Sequence, residues 1–446
     1  MKDLTKGYPA KVIMLFAIPM IFGSIFQQLY NIADSKIVST FVGTEAFAAV
    51  GATSVISNTL IGFLNSLTLG FAIPIANSFG GKDYSRMRKL VAGTIVLTMA
   101  GAVLLTIGAL LAISPLLRLL STPEDLMEPA LAYVRIILCG IIFTALYNMC
   151  ANVLRAVGDS RTPLVCLIIS VFLNIGLDLL FVKVFDWGLE GAAYATIIAM
   201  AMSAFLCLGY ILLRFRDILP RKEEWVLTAR QYGELFSSGI AMGLMSLVVN
   251  FGTVILQSAI NGLGTDIVAA HTAARKVFDI LTVTLYCIGN AMTTYVSQNM
   301  GAGQPKRIRQ GVRQAVIISC SIATCLIVIC FVFGRSVFTW LASTDNKVIV
   351  DSAVMYARIS IVFFYALGPL FIFRCTLQGM GRKIIPVCSS VVEMVIKVIS
   401  AMVLVPHFKY VGVAFTEPVS WVCMLILLVT AYLVKSPEKV IAEIQG

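Results

Sequence analysis

The stretch QQLYNIADSKIV, Gln27 to Val38, lies inside a longer run, VIMLFAIPMIFGSIFQQLYNIADSKIVSTFVG, residues 12–43. A run that long and that apolar reads as a helix crossing a bilayer, whose hydrocarbon core takes about 20 residues to span. Yet it carries a carboxylate, a lysine, two glutamines and an asparagine. Polar groups in hydrocarbon are costly, so they need partners or a task. Gln27, Asn31 and Asp34 are spaced by four and three, which puts them on one face of a helix. Lys36 is two residues from Asp34 and points elsewhere. Near the end of the span, it can reach the outer interface with its long stem.

The rest of the chain is built of similar runs. Of 446 residues, 59% are hydrophobic and 13% are charged, against about a quarter charged in a soluble domain. Charge-poor windows recur to the end, and no long polar segment could form a separate soluble domain. The net charge of +11 does not point to nucleic acid, because the basic residues fall in short clusters on alternate loops. The 11 cysteines are scattered through apolar runs without a CxxC pair, so neither disulfides nor a metal site is expected. The two histidines are isolated, and His271 reads as a packing residue near a helix start. Lys2, Lys6 and Lys11 run straight into an apolar stretch too long for a cleavable signal, so the first span acts as its own insertion signal.

Twelve spans are expected, at about 12–39, 46–77, 90–117, 129–154, 162–183, 190–213, 233–261, 267–298, 312–341, 350–377, 384–405 and 411–434. Basic clusters precede the first span and follow the second, fourth, sixth, eighth, tenth and twelfth, which places both termini in the cytoplasm by the positive-inside rule. The chain also repeats itself at an offset of roughly 220 residues. SFGGKDYSRMRK (78–89) aligns with NMGAGQPKRIRQ (299–310), matching Arg86 to Arg307 and Arg88 to Arg309. LAYVRI matches VMYARI, pairing Tyr133 with Tyr356, and LRAVGDSRTP matches LQGMGRKIIP. Each repeat holds six spans, so the halves run in the same direction. The expected fold is an all-α integral membrane protein of two parallel six-helix bundles, related by a pseudo-two-fold axis along the membrane normal. The bundles are residues 1–213 and 233–434, joined by a charged cytoplasmic linker, 214–232, which would let them rock. A cytoplasmic tail, 435–446, follows.

In the fifth span, Asn174 and Asp178 are four apart and stack on one face. Counted from Pro163, Asp178 lies roughly 22 Å into the span at 1.5 Å per residue, and Thr196 lies about 8 Å down the sixth. Asp34, Asn174, Asp178 and Thr196 therefore reach a similar depth in the first half. Such an all-oxygen set can hold a proton between two acids, or ligate a hard monovalent cation such as Na+. It can also be a hydrogen-bonded network that fixes helix packing. Two acids without an internal cation are expensive, which favours function. Asn148 and Asn152 of the fourth span, with Tyr147 and Met149 nearby, either line a cavity shared with Gln27, Tyr30 and Asn31 or pack helices. At the repeat offset, Val254, Lys397 and Ala401 stand opposite Asp34, Asn174 and Asp178, so the second half lacks the acids. Its own charges read as structural pairs, Glu393 with Lys397 and Arg275 with Asp279.

IPMIFGSIFQQLYNIADSKIVSTFVG, SFGGKDYSRMRK, NVLRAVGDSRTP, NIGLD and VAAHTAARKV together resemble the multidrug and toxic compound extrusion (MATE) family along nearly the whole chain. The resemblance implies a multi-pass transporter of the cell membrane that exports cationic amphipathic drugs or toxins by antiport against H+ or Na+. It implies no cofactor and no enzymatic activity. Carried over by position, the coupling site is Asp34, Asn174, Asp178 and Thr196, and Gln27 is a substrate contact. Some branches carry acids in the seventh and tenth spans; here those positions offer none beyond Glu234 and Asp351 at the span ends. A monomer is expected. The competing expectation is a flippase or exporter for a lipid-linked or amphipathic metabolite, which would place several Arg or Lys on the cavity wall.

Overall fold

A computed structural model describes residues 3–119, 122–342 and 347–445; Lys2 lies outside the described residues. The described chain is helical throughout, with no strand. The long helices are α1 (Pro9–Phe41), α2 (Thr44–Gly80), α3 (Tyr84–Leu119), α4 (Glu124–Ala156), α5 (Arg161–Asp178), α6 (Gly188–Arg214) and α7 (Ala229–Asn261). They are followed by α8 (Thr265–Gly301), α9 (Pro305–Ala342), α10 (Lys347–Val362), α11 (Phe364–Gly379), α12 (Ile384–Ile399), α13 (Val405–Val434) and a short α14 (Pro437–Gln445).

Ten of these stretches are long and apolar enough to cross a membrane, and α10 with α11, bent by 53° at the break between them, makes an eleventh span. One of the ten is the continuous Ile384–Val434, 51 residues. At 1.5 Å per residue it would measure about 76 Å, more than twice the hydrocarbon thickness. Lys409, at φ 51° and ψ −132°, breaks it, so it supplies two spans. The described helices thus give the twelve spans expected.

The internal repeat is written into the backbone. Positive-φ residues recur in pairs at corresponding positions: Gly43 with Gly264, Lys82 with Gly303, Gly158 with Gly381, and Asp186 with Lys409. The fifth span of each half ends in a π-helical turn, Leu179–Val184 and Ser400–Leu404. Gly43 and Gly264 precede α2 and α8 at φ 113° and 101°, a region that a side chain disfavours. Lys82, at φ 58°, stands where the second half has Gly303, and the last pair puts a side chain at positive φ in both halves, Asp186 at 55° and Lys409 at 51°. The motif acids near the turns are caps. Asp83 Oδ1 accepts from the Arg86 N–H (3.0 Å) at the start of α3. Asp159 accepts from the N–H groups of Arg161 and Thr162 (3.0 and 3.1 Å) at the start of α5. Both satisfy first-turn donors that the helix leaves open.

The chain divides into two compact units, Met1–Asp3 with Ile18–Gly243, and Leu4–Ala17 with Leu244–Gly446. The expected boundaries, 1–213 and 233–434, are shifted at both ends. In the first unit a Cβ on Gly70 would meet Ser238 O at 2.5 Å, and Cβ atoms on Gly239 and Gly243 would meet the rings of Phe71 and Phe63. These glycines let the first half of α7 lie directly on α2. The second unit claims the start of α1. There Leu4 N donates to Gln298 Oε1 (3.0 Å), Ala10 N to Gln314 Oε1 (2.7 Å), and Arg307 to the Gly7 carbonyl (2.7 Å).

The linker is docked rather than loose. Arg88 meets Glu224 at 2.7 Å and Arg86 meets Glu234 at 2.8 Å, while Ile218 is fully buried. Arg88 holds the Glu224 carboxylate down at about 2, below its ordinary range. The tail forms α14, where Arg309 reaches Glu438 at 3.1 Å. Linker and tail are thus corresponding segments, each gripped by one of the repeat-matched arginines. In the first unit, α4 packs against α2, α3 and α6 around Leu64, Phe71, Leu138 and Ile141. The second unit's core includes an edge-to-face chain, Tyr356–Phe278–Phe364–Trp421.

Candidate functional site

The unit containing Ile18–Gly243 holds a cavity of about 480 Å³, walled by residues of α1, α2, α4 and α6. The face read from QQLYNIADSKIV is on that wall: Gln27, Tyr30, Asn31 and Asp34 all line it, as do Asn148 and Thr196. Lys36 is exposed and does not line the cavity.

Behind the wall are Asn174 and Asp178, 1% and 0% exposed. The Asp34 and Asp178 carboxyls lie within hydrogen-bonding reach of each other. The Asn174 amide lies between Asp178 Oδ2 (2.8 Å) and the Thr196 backbone nitrogen (3.2 Å); turned with its nitrogen toward Asp178, it donates to the acid and accepts from the Thr196 N–H. Thr196 Oγ1 and Tyr30 OH are 3.3 Å apart. The four residues grouped by depth therefore do meet, and Tyr30 joins them. The π turn begins directly after Asp178, and such turns break the regular hydrogen-bond ladder at functional positions. Asp178 Oδ1 has no donor among the described residues.

Not every expected wall residue is there. Asn152 is 2% exposed and does not line the cavity. Its nitrogen donates to Thr68 Oγ1 (3.0 Å) and its oxygen accepts from Arg155 (3.1 Å). It packs α4 on α2, the alternative left open by its sequence.

The sequence reading also missed half of the site. Tyr133 of α4 lines the cavity, near both Asp34 and Asp178; its signal was the LAYVRI repeat, used only for alignment. The face of α2 that carries Ser54, Asn58, Ile61 and Asn65 also lines the cavity. Its spacing of four, three and four was legible as a polar helical stripe, but with no charge in it nothing drew attention.

In the second unit, Lys397 Nζ contacts Glu393 Oε1 (2.9 Å) and donates to Thr253 Oγ1 (3.0 Å), and Arg275 pairs with Asp279 (3.1 Å). Both expected pairs form, and each gains a member: Arg374 lies 3.7 Å from Glu393, and Arg275 binds Glu417 at 2.6 Å. His271 is buried, edge-on to Tyr356 and Tyr410. Among the described residues no group of three or more His, Cys, Asp or Glu could hold a metal ion.

A family model described as MatE matches the chain twice, over residues 19–180 and 241–403, one match to each half of the internal repeat. Over 386 residues the chain is 28% identical to the probable multidrug resistance protein YpnP of Bacillus subtilis (strain 168), covering 86% of this chain and 85% of the relative. It is 22% identical over 389 residues to the multidrug export protein MepA of Staphylococcus aureus (strain MRSA252), covering 86% and 85%. Among solved structures, the crystal structure of MATE in the bent conformation superposes with a TM-score of 0.90, at 22% identity, over 98% of both chains. That likeness is one of fold.

Proposed function

From the premise that this chain belongs to the MatE family, a family of transporters rather than enzymes, we propose that it exports organic cations in exchange for protons. Relatives named as multidrug resistance and export proteins support cationic drugs or toxins, including amphipathic ones, as cargo. On this reading both termini are cytoplasmic, the protein sits in the cell membrane, and it works as a monomer.

The observation that carries the reading is the contact between Asp34 and Asp178. Two carboxyl groups can hydrogen-bond to each other only when one of them carries a hydrogen.

Proton and cargo then compete for one charge. With the cavity open to the cytoplasm, the pair shares one hydrogen and carries one negative charge, which draws a cation to the wall at Asp34. When the cavity opens outward, an arriving second proton neutralises the pair, removes the counter-charge and releases the cation. Exchange of one proton for one monovalent cation moves no net charge, so the pH difference is the drive, worth about 1.4 kcal/mol or tenfold in cargo per pH unit. The flippase alternative has no comparable support, since no Lys or Arg among the described residues lines the cavity.

The test is ethidium efflux from proteoliposomes with a pH gradient or a sodium gradient imposed alone. The pH gradient alone is expected to drive it. Efflux driven by sodium alone would overturn the proton arm, and undiminished exchange in the D34N/D178N double variant would overturn the mechanism.

A further inference from the structure

The cavity wall carries more hydrogen-bonding capacity than an apolar cation can use. Five side-chain amides, those of Gln27, Asn31, Asn58, Asn65 and Asn148, face the cavity. Among the described residues none of the five makes a side-chain hydrogen bond to the protein, unlike Asn152, which is consumed by Thr68 and Arg155. Each amide offers two N–H donors and a carbonyl acceptor. Among the described residues the only carboxylate on the wall is Asp34 and no Lys or Arg lines the cavity, so its positive complement must come from the guest.

The apolar part of the wall is supplied by aliphatic side chains and the rings of three tyrosines. It contains no Phe or Trp, and its aliphatic members are Val50, Ile61, Ile137, Ile197 and Met200. Of the three tyrosines there, Tyr147 donates its hydroxyl to the Pro163 carbonyl, and Tyr30 is engaged with Thr196. A lipophilic cation can pack on these groups, but it offers nothing to the amides. It would also strip water from the amides without replacing the lost bonds, a penalty of about 1–3 kcal/mol for each group left unmade. Sites built to hydrogen-bond a guest reject analogues that lack the matching groups far more strongly than apolar pockets reject an extra methylene.

We infer that this cavity selects a small amine bearing several hydroxyl groups, of the amino-sugar type, over a lipophilic cation of equal charge. A hydroxyl both donates and accepts, so it can satisfy either end of an amide. The ammonium group sits at Asp34, and the hydroxyls pair with the amides of α1 and α2 on one side and Asn148 of α4 on the other. The cavity volume of about 480 Å³ is within the range of small-ligand sites. This inference rests on the export reading above, which supplies the cation and its direction of travel.

The experiment compares two monocations in proteoliposomes under an imposed pH gradient, radiolabelled glucosamine and radiolabelled tetraphenylphosphonium. The expected result is a flux ratio favouring glucosamine by at least about tenfold, the factor that one well-made hydrogen bond supplies. In Asn58→Leu and Asn148→Leu the ratio should fall toward unity or invert, while Asn58→Ser, which keeps a hydroxyl, restores part of it. Thermal unfolding of each variant separates lost selectivity from lost fold. Flux of tetraphenylphosphonium with none of glucosamine would overturn the inference and leave cation export standing. A ratio unaltered in both leucine variants would overturn it as well. Gradient-driven flux of neither cation would overturn the export reading itself.

Discussion

Asp34 of α1 and Asp178, the last residue of α5, bring their carboxyl groups within hydrogen-bonding reach of each other, and the Asn174 amide, one turn before Asp178, lies 2.8 Å from the same acid. On the proposed mechanism the acid pair acts as one unit with one exchangeable proton. Removing either member should have the same consequence. Asp34→Asn and Asp178→Asn are each expected to lose most of the pH-driven ethidium efflux, and the double variant should be little worse than either single one. Fluxes that fall independently and multiply would show two separate sites, which a double-mutant comparison measures directly.

Asn174 bridges α5 to the backbone of α6 through Thr196. Asn174→Leu fills the same space but leaves a buried carboxyl oxygen and an N–H without their partner. The expected cost is about 1–3 kcal/mol of stability, read as a lowered unfolding temperature in detergent. Asn174→Asp should bring a third acid to the pair and disturb exchange more than stability.

Gly140 of α4 lies against Ile197 of α6, where a Cβ would approach Cγ1 to 2.4 Å. Both residues line the cavity, next to Thr196. Gly140→Leu should cost roughly 1–3 kcal/mol by overpacking and lower efflux by pushing α6 from the acid pair. Pairing it with Ile197→Ala should return much of both losses. Unfolding temperature and flux, measured together, check the claim.

Glu393 is the carboxylate between Lys397 and Arg374, all three nearly buried. Glu393→Gln leaves two cations without their counter-charge, and the expected destabilisation is about 3–5 kcal/mol. Replacing Glu393 and Lys397 together with leucines should cost much less, because no lone charge remains. If the single variant is as stable as the native protein, the cluster is not the structural element assigned here.

The linker clasp between Arg88 and Glu224 has a definite pH sign. The pairing depresses the Glu224 carboxyl to about 2, so its stabilisation is fully present above the ordinary carboxylate range. It is lost as pH falls from about 4.5 toward 2. Limited proteolysis across Arg216–Trp225 should accelerate in that window, and Glu224→Gln should show the faster cleavage already at pH 7.

The order of apolar runs and basic loops was enough to determine twelve spans, their repeat in two halves and the polar face of α1. Each of these follows from local periodicity and from the cost of carrying charge through hydrocarbon. The depth of Asn174, Asp178 and Thr196 was also within reach, because a straight helix rises by a fixed step per residue. What only the tertiary structure decided is which partner each polar group finds. Asn148 and Asn152 share one spacing and one helix, yet the first faces the cavity and the second is spent on Thr68 and Arg155. The uncharged stripe of α2 became part of a cavity wall only when α1, α4 and α6 closed around it. The starts of α1 and α7 changed units because Gln298, Arg307 and a row of facing glycines hold them. Such contacts join residues far apart in the chain, and helical period carries no information about which distant surface a face will meet.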